Sequence, residues 1–174
     1  MQQSLLSFKY ESERASTGLT ALAGLPVYVD LVRVSGLLDA FDEHLDVRRR
    51  GQGWTDSEIC QSLMLLNLAG GESVSDLEIF EKDDGFRKLM LKASNHGLSR
   101  KQLRELERRW RKQRNRAVPS ESSVFRYLDS FHDASQELER VAHKAFIPRQ
   151  NRHLRGFVSV VRQWLAFVQK NAPQ

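Results

Sequence analysis

Between residues 154 and 168 the apolar side chains Leu154, Phe157, Val158, Val161, Leu165 and Val168 recur at intervals of three and four. That interval is close to one turn of an α-helix, so all six fall on one face. A half-buried β-strand would need strict alternation, and a membrane span would need about 18 unbroken apolar residues. A helix with a single apolar stripe has little stability alone in water and must be covered by other elements. The stretch therefore predicts a helix that packs, in a chain that supplies partners for it.

The rest of the sequence offers such partners. Pro26 opens a stripe formed by Val29, Val32, Leu37, Leu38, Phe41 and Leu45; proline suits the first helical turn, where its missing N–H has no partner anyway. "TDSE" at 55–58 is a capping box, with Thr55 as N-cap and Glu58 three residues on, ahead of Ile59, Leu63 and Leu66. "GG" at 70 and 71 stops that helix, and "SDLE" at 75–78 opens another. "DDGFRKLML" reads as a further short helix, and residues 100–115 consist of strong helix formers with Leu103, Leu106 and Trp110 as a narrow stripe. Ser120 is placed to cap a helix in which Val124, Leu128 and Phe131 recur, and the next runs from Asp133 to about Ala145.

These signals predict an all-α fold, a bundle of about seven or eight helices with a helix-turn-helix-like unit at the glycine pair. Two helices across a tight Gly turn suit DNA binding and are equally the ordinary way to build a bundle. Residues 1–20 form an N-terminal arm in which "LLSFKY" fits one short strand or an extended segment, and 21–174 form the helical domain.

Several kinds of chemistry are excluded by what the sequence lacks. Cys60 is the only cysteine, so no intramolecular disulfide can form, and its neighbours Ile59, Leu63 and Met64 mark it as a small core residue. The N-terminal "MQQSLLSFKYESE" has neither the basic nor the apolar region of a secretory signal, which predicts a cytoplasmic protein with no membrane partner. His44, His96, His132, His143 and His153 stand at no metal-binding spacing, and HExxH, CxxC and a phosphate-binding glycine loop are all missing. Asp83 and Asp84 are adjacent, so on a helix they point in different directions; their charge suits a helix N-terminus. No catalytic residue, metal ligand or cofactor is expected in this chain.

Charge is the informative feature. Residues 100–116, "RKQLRELERRWRKQRNR", hold nine Lys or Arg against Glu105 and Glu107, a local charge of +7 in a chain whose total is +5, which leaves −2 elsewhere. Directly behind it comes "VPSESSVFRYL", a helix start of small polar residues. This pairing predicts a double-stranded DNA partner: a basic helix for sequence-independent phosphate attraction, then a recognition helix whose first turn enters the major groove. The expected phosphate ligands are Arg104, Arg108, Arg109, Arg111, Lys112 and Arg114, with the hydroxyls of Ser120 and Ser123. Glu121, Ser122 and Arg126 are expected to face bases, with Val124 and Leu128 anchoring the helix inward. The alternative is an interaction or oligomerisation scaffold whose basic helix is only a solvated surface.

"TDSEICQSLMLLNLAGGESVSDLE", "RWRKQRNRAVPSESSVFRYLDSFHD" and "KAFIPRQNRHLRGFVSVVRQWLAF", in that order, resemble the N-terminal region of bacterial insertion-sequence transposases of the DDE type. The resemblance runs from about Thr20 to the C-terminus. It implies binding to transposon-end DNA at the bacterial nucleoid. It also implies an RNase H-like catalytic domain, with three carboxylates holding two divalent metal ions, beginning just after a helix like the one ending near Asn171. No Asp or Glu of this chain matches those carboxylates, so the expectation is a non-catalytic DNA-binding part. Its partners would be DNA and either a second copy or a catalytic domain absent from the chain, unless it acts alone as a transposase-derived regulator.

Overall fold

The computed structural model describes residues 20–48, 52–110, 116–147 and 149–171. Among them are nine α-helices, one 3-10 turn and no strand. In order they are α1 (Leu25–Val34), α2 (Leu37–His44), α3 (Asp56–Leu68), the 3-10 turn (Val74–Asp76), α4 (Leu77–Lys82), α5 (Asp84–Asn95), α6 (Arg100–Arg108), α7 (Glu121–Asp129), α8 (Ala134–Glu137) and α9 (Arg152–Asn171). The expected all-α bundle is present. No helix of the described residues is long and apolar enough to cross a membrane. The N-terminal arm, apart from Thr20, lies outside the described residues.

The central element is α3. Its capping box forms as the sequence requires: the Glu58 N–H donates to Thr55 Oγ1 at 3.2 Å and the Thr55 N–H to Glu58 Oε2 at 2.9 Å. Ile59 and Leu65 are buried beside Val29 of α1 and Ala40 and Phe41 of α2. The end of α7 and the start of α9 join this core through aromatic edges, Phe41 on Phe157 at 6.2 Å, Phe131 on Phe157 at 5.5 Å and Tyr127 on Phe131 at 5.3 Å. Leu77 and Phe80 of α4, Phe86 and Met90 of α5, and Val118 and Val124 extend the core around the remaining side of α3.

Five elements depart from the sequence reading, one of them α6, which ends at Arg108 although helix formers run on to residue 115. The stripe that begins at Pro26 is two helices, because Gly36 takes φ +69°, a left-handed conformation that glycine adopts without a Cβ penalty. The second capping box sits two residues earlier than expected: Asp76 Oδ2 accepts from the Ser73 N–H at 2.9 Å, and a 3-10 turn precedes α4. The helix expected from Asp133 to about Ala145 is the single turn α8. Gln136 there accepts the Arg149 N–H at 2.6 Å, drawing the chain back, and Leu138 and Val141 beyond it are exposed with no core to hold a longer helix. On α7 the inward pair is Val124 and Tyr127, while Leu128 is 40 % exposed.

The apolar stripe of α9 is only partly covered. Phe157 and Trp164 pack against the core and Val160 is buried, but Val161, Leu165 and Val168 are exposed. Beside them an apolar groove of about 550 Å³ runs between α9, α3 and α7, lined by Met64, Leu128, Phe131, Phe157 and Val161 among others.

At the contact of α9 with α2 a Cβ on Gly156 would stand 2.4 Å from the His44 carbonyl oxygen, a backbone atom that cannot turn aside. Gly156→Ala should therefore lower stability by about 1–2 kcal/mol in urea unfolding, the overpacking outweighing the helix propensity that alanine adds; a gain in stability would contradict this contact. Cys60 is buried, with its Sγ 3.5 Å from the Tyr127 hydroxyl, and burial pushes its thiol up to about 11. The thiol is therefore held protonated at pH 8. A colorimetric thiol reagent should leave native Cys60 unmodified and label it promptly once urea unfolds the chain.

Candidate nucleic-acid interface

The basic helix α6 is opened by its own capping box, the Gln102 N–H donating to Ser99 Oγ at 3.3 Å and the Ser99 N–H to Gln102 Oε1 at 2.9 Å. Leu103 and Leu106 turn partly inward, and Arg100, Lys101, Arg104 and Arg108 are exposed. Neither Arg104 nor Arg108 forms an ion pair within the described residues. Both side chains therefore stand in solvent.

Arg109 is placed otherwise. Its Nη2 donates to the Gly53 carbonyl at 2.6 Å and to Glu58 Oε2 at 2.9 Å, and its own carbonyl accepts the Gly53 N–H at 2.9 Å. With its side chain 22 % exposed, this guanidinium fastens the end of α6 to the N-terminus of α3. Trp110 completes the joint by meeting Trp54 edge-on at 5.1 Å. The expectation that Arg109 contacts phosphate is accordingly withdrawn in favour of a structural tie. Arg111, Lys112 and Arg114 lie outside the described residues.

Entry into α7 is held by a carboxylate from α4. The Ala117 and Val118 N–H groups donate to Glu81 Oε1 at 2.7 and 2.8 Å, and Arg116 Nε lies 3.9 Å from the same oxygen. Val118 and Pro119 are fully buried. Fixed from behind in this way, α7 turns Glu121, Ser122 and Arg126 to solvent, as expected of base-facing residues. Arg126 Nε donates to the Ser122 carbonyl at 3.1 Å, which steadies the guanidinium along the helix.

Ser120 occupies the N-cap position of α7 but makes no side-chain cap bond. Its hydroxyl lies 3.2 Å from that of Ser122 and 3.0 Å from that of Ser123, a row of three hydroxyls on the first turn, where the helix dipole favours an anion. Phe125, 53 % exposed, shares the outer face of α7 and was missed from the sequence. The signal was available: once Val124 and Tyr127 define the buried side, a residue one step from Val124 is turned about 100° away from it.

Compared with protein-family models, curated proteins and solved structures, the chain matches none. Among the described residues no group of three or more His, Cys, Asp or Glu is arranged to hold a metal ion.

Because Arg109 is held at a partly buried carboxylate, Arg109→Ala should destabilise the fold by about 1–3 kcal/mol, the range for a lost hydrogen bond to a charged group. Arg104→Ala should stay within about 0.5 kcal/mol of the parent, as exposed positions do. Urea midpoints for the two variants separate the structural arginine from the exposed one.

Proposed function

We propose that this chain is a non-catalytic DNA-binding domain of the insertion-sequence transposase kind, with α7 as recognition helix and α6 supplying phosphate contacts. The observation that supports it best is α7 itself: clamped by Glu81 at its entry and by Val124 and Tyr127 beneath, it presents Glu121, Ser122, Phe125 and Arg126 together on one exposed face. A rigid helix with a small polar first turn is what entry to a major groove needs. There Arg126 would read a guanine edge, Phe125 a thymine methyl, and Glu121 a cytosine amino group. The Ser120, Ser122 and Ser123 hydroxyls suit a phosphate at the helix start, and Arg104 and Arg108 add attraction that carries no sequence information. On this reading strand cleavage belongs to a separate carboxylate-bearing domain, and the natural site is transposon-end DNA in the bacterial cytoplasm.

The test separates affinity from specificity. Arg104→Ala with Arg108→Ala should weaken binding to all duplexes alike and reduce the slope of log affinity against log salt by about 1.8, at about 0.9 per phosphate. Arg126→Ala should instead cost about 1–3 kcal/mol chiefly on a sequence selected from a random duplex pool. If Arg126→Ala keeps its helical circular dichroism and the ratio of selected to random binding does not change, α7 is not the recognition helix.

A second reading, an interaction scaffold, is favoured by the apolar groove and the exposed Val161, Leu165 and Val168 beside it. A patch of this kind marks a surface that another helix covers. It requires no steep salt dependence with DNA, and Leu165→Glu would abolish any concentration-dependent association seen in sedimentation.

A further inference from the structure

A polar cleft of about 440 Å³ opens between α2, α3, α5 and α6, apart from the exposed face of α7. Its apolar lining includes Leu38, Met90 and Leu106. Four carboxylates line it, those of Asp39, Asp42, Glu58 and Glu105, against the guanidiniums of Arg33 and Arg109. Arg109 binds Glu58, one of these four, at 2.9 Å, and Arg33 donates to the Ala93 carbonyl at 2.5 Å and lies in the field of Asp39, which leaves two carboxylates in excess. The cleft is therefore acidic in a chain whose formal net charge is +5. Burial holds the Asp42 carboxyl above the ordinary range against the Ser57 hydroxyl, and the charges of Asp39, Glu58 and Asp56 act in the same direction as burial.

An independent feature of α3 points the same way. Gln61 is only 8 % exposed and lines the cleft, yet its side-chain amide makes no hydrogen bond within the described residues. The polar atoms of that amide keep solvent access, so water meets them in the free protein and a ligand entering the cleft would take that water's place. Such a ligand offers N–H groups to the Gln61 carbonyl oxygen.

We propose that this cleft binds a small organic cation, an alkyl chain carrying amino or guanidinium groups. Its charge rests against Asp42, its N–H groups reach Gln61, and its methylenes cover Leu38, Met90 and Leu106. One amide oxygen, separate carboxylates and an apolar lining suit such a molecule better than a bare metal ion, for which no group of three or more ligating side chains is arranged among the described residues.

The probe is agmatine, an amine and a guanidinium on a four-carbon chain, titrated into the protein by calorimetry and by amide NMR. Saturable binding at one site with Kd below about 1 mM is expected, with the Gln61 side-chain resonances among those that move. Gln61→Leu and Asp42→Asn should each weaken it at least about tenfold, and Glu137→Gln, on the exposed turn α8, should not. Both cleft variants should keep the parent's helical circular dichroism, so that a lost site is told apart from a lost fold. Non-saturable binding, shifts that avoid the cleft in the unaltered protein, undiminished binding by Asp42→Asn, or displacement by an equal concentration of Mg²⁺ would each overturn the proposal.

Discussion

One carboxylate oxygen, Oε2 of Glu58, joins two parts of the molecule that are far apart in sequence. It accepts the Thr55 N–H and so starts the central helix α3, and it accepts the Arg109 guanidinium and so fastens the end of α6 to that start. A capping interaction alone contributes on the order of 1 kcal/mol. Here it also fixes a tertiary joint, because the side chain that satisfies the helix end is the one that meets the arginine. Trp54 and Trp110 seal the same corner from the apolar side.

Other acidic residues work in a similar way. Glu81 takes the two N–H groups that lead into α7, Asp83 takes the Phe86 N–H together with the Thr20 hydroxyl and Ala21 N–H, and Asp56 takes the Val47 and Arg48 N–H groups. Glu58 and Glu81 each meet a guanidinium as well, those of Arg109 and Arg116. These acids stand at helix starts and junctions, while Arg104 and Arg108 of α6 remain in solvent.

The two functional readings draw on different faces of the same helix. Leu128 of α7 lines the apolar groove against α9, whereas Ser122 and Arg126 are turned well away from it around the helix. A helix shared in this manner would couple whatever occupies the groove to the orientation of the exposed face, since a rigid helix cannot move one side without the other. DNA binding and pairing through α9 are therefore compatible roles for one chain.

Helix existence was legible in the sequence because it depends on local chemistry. The capping box at Thr55, the periodicity of α9 and the outward setting of Glu121, Ser122 and Arg126 follow from which side chains lie three or four residues apart. Tertiary structure alone decided the rest. Arg109 and Arg104 are the same residue type on the same basic segment, and only contact with Glu58, 51 residues earlier, turned one inward and left the other free for solvent. Leu128 and Tyr127 were separated in the same way: burial went to the side chain that could pack on Phe131 and place its hydroxyl by Cys60. Periodicity defines a face only to within about one residue, since each step turns 100° and an apolar stripe is about that wide. Which flank of the stripe is buried depends on what lies opposite, and that partner is remote in sequence.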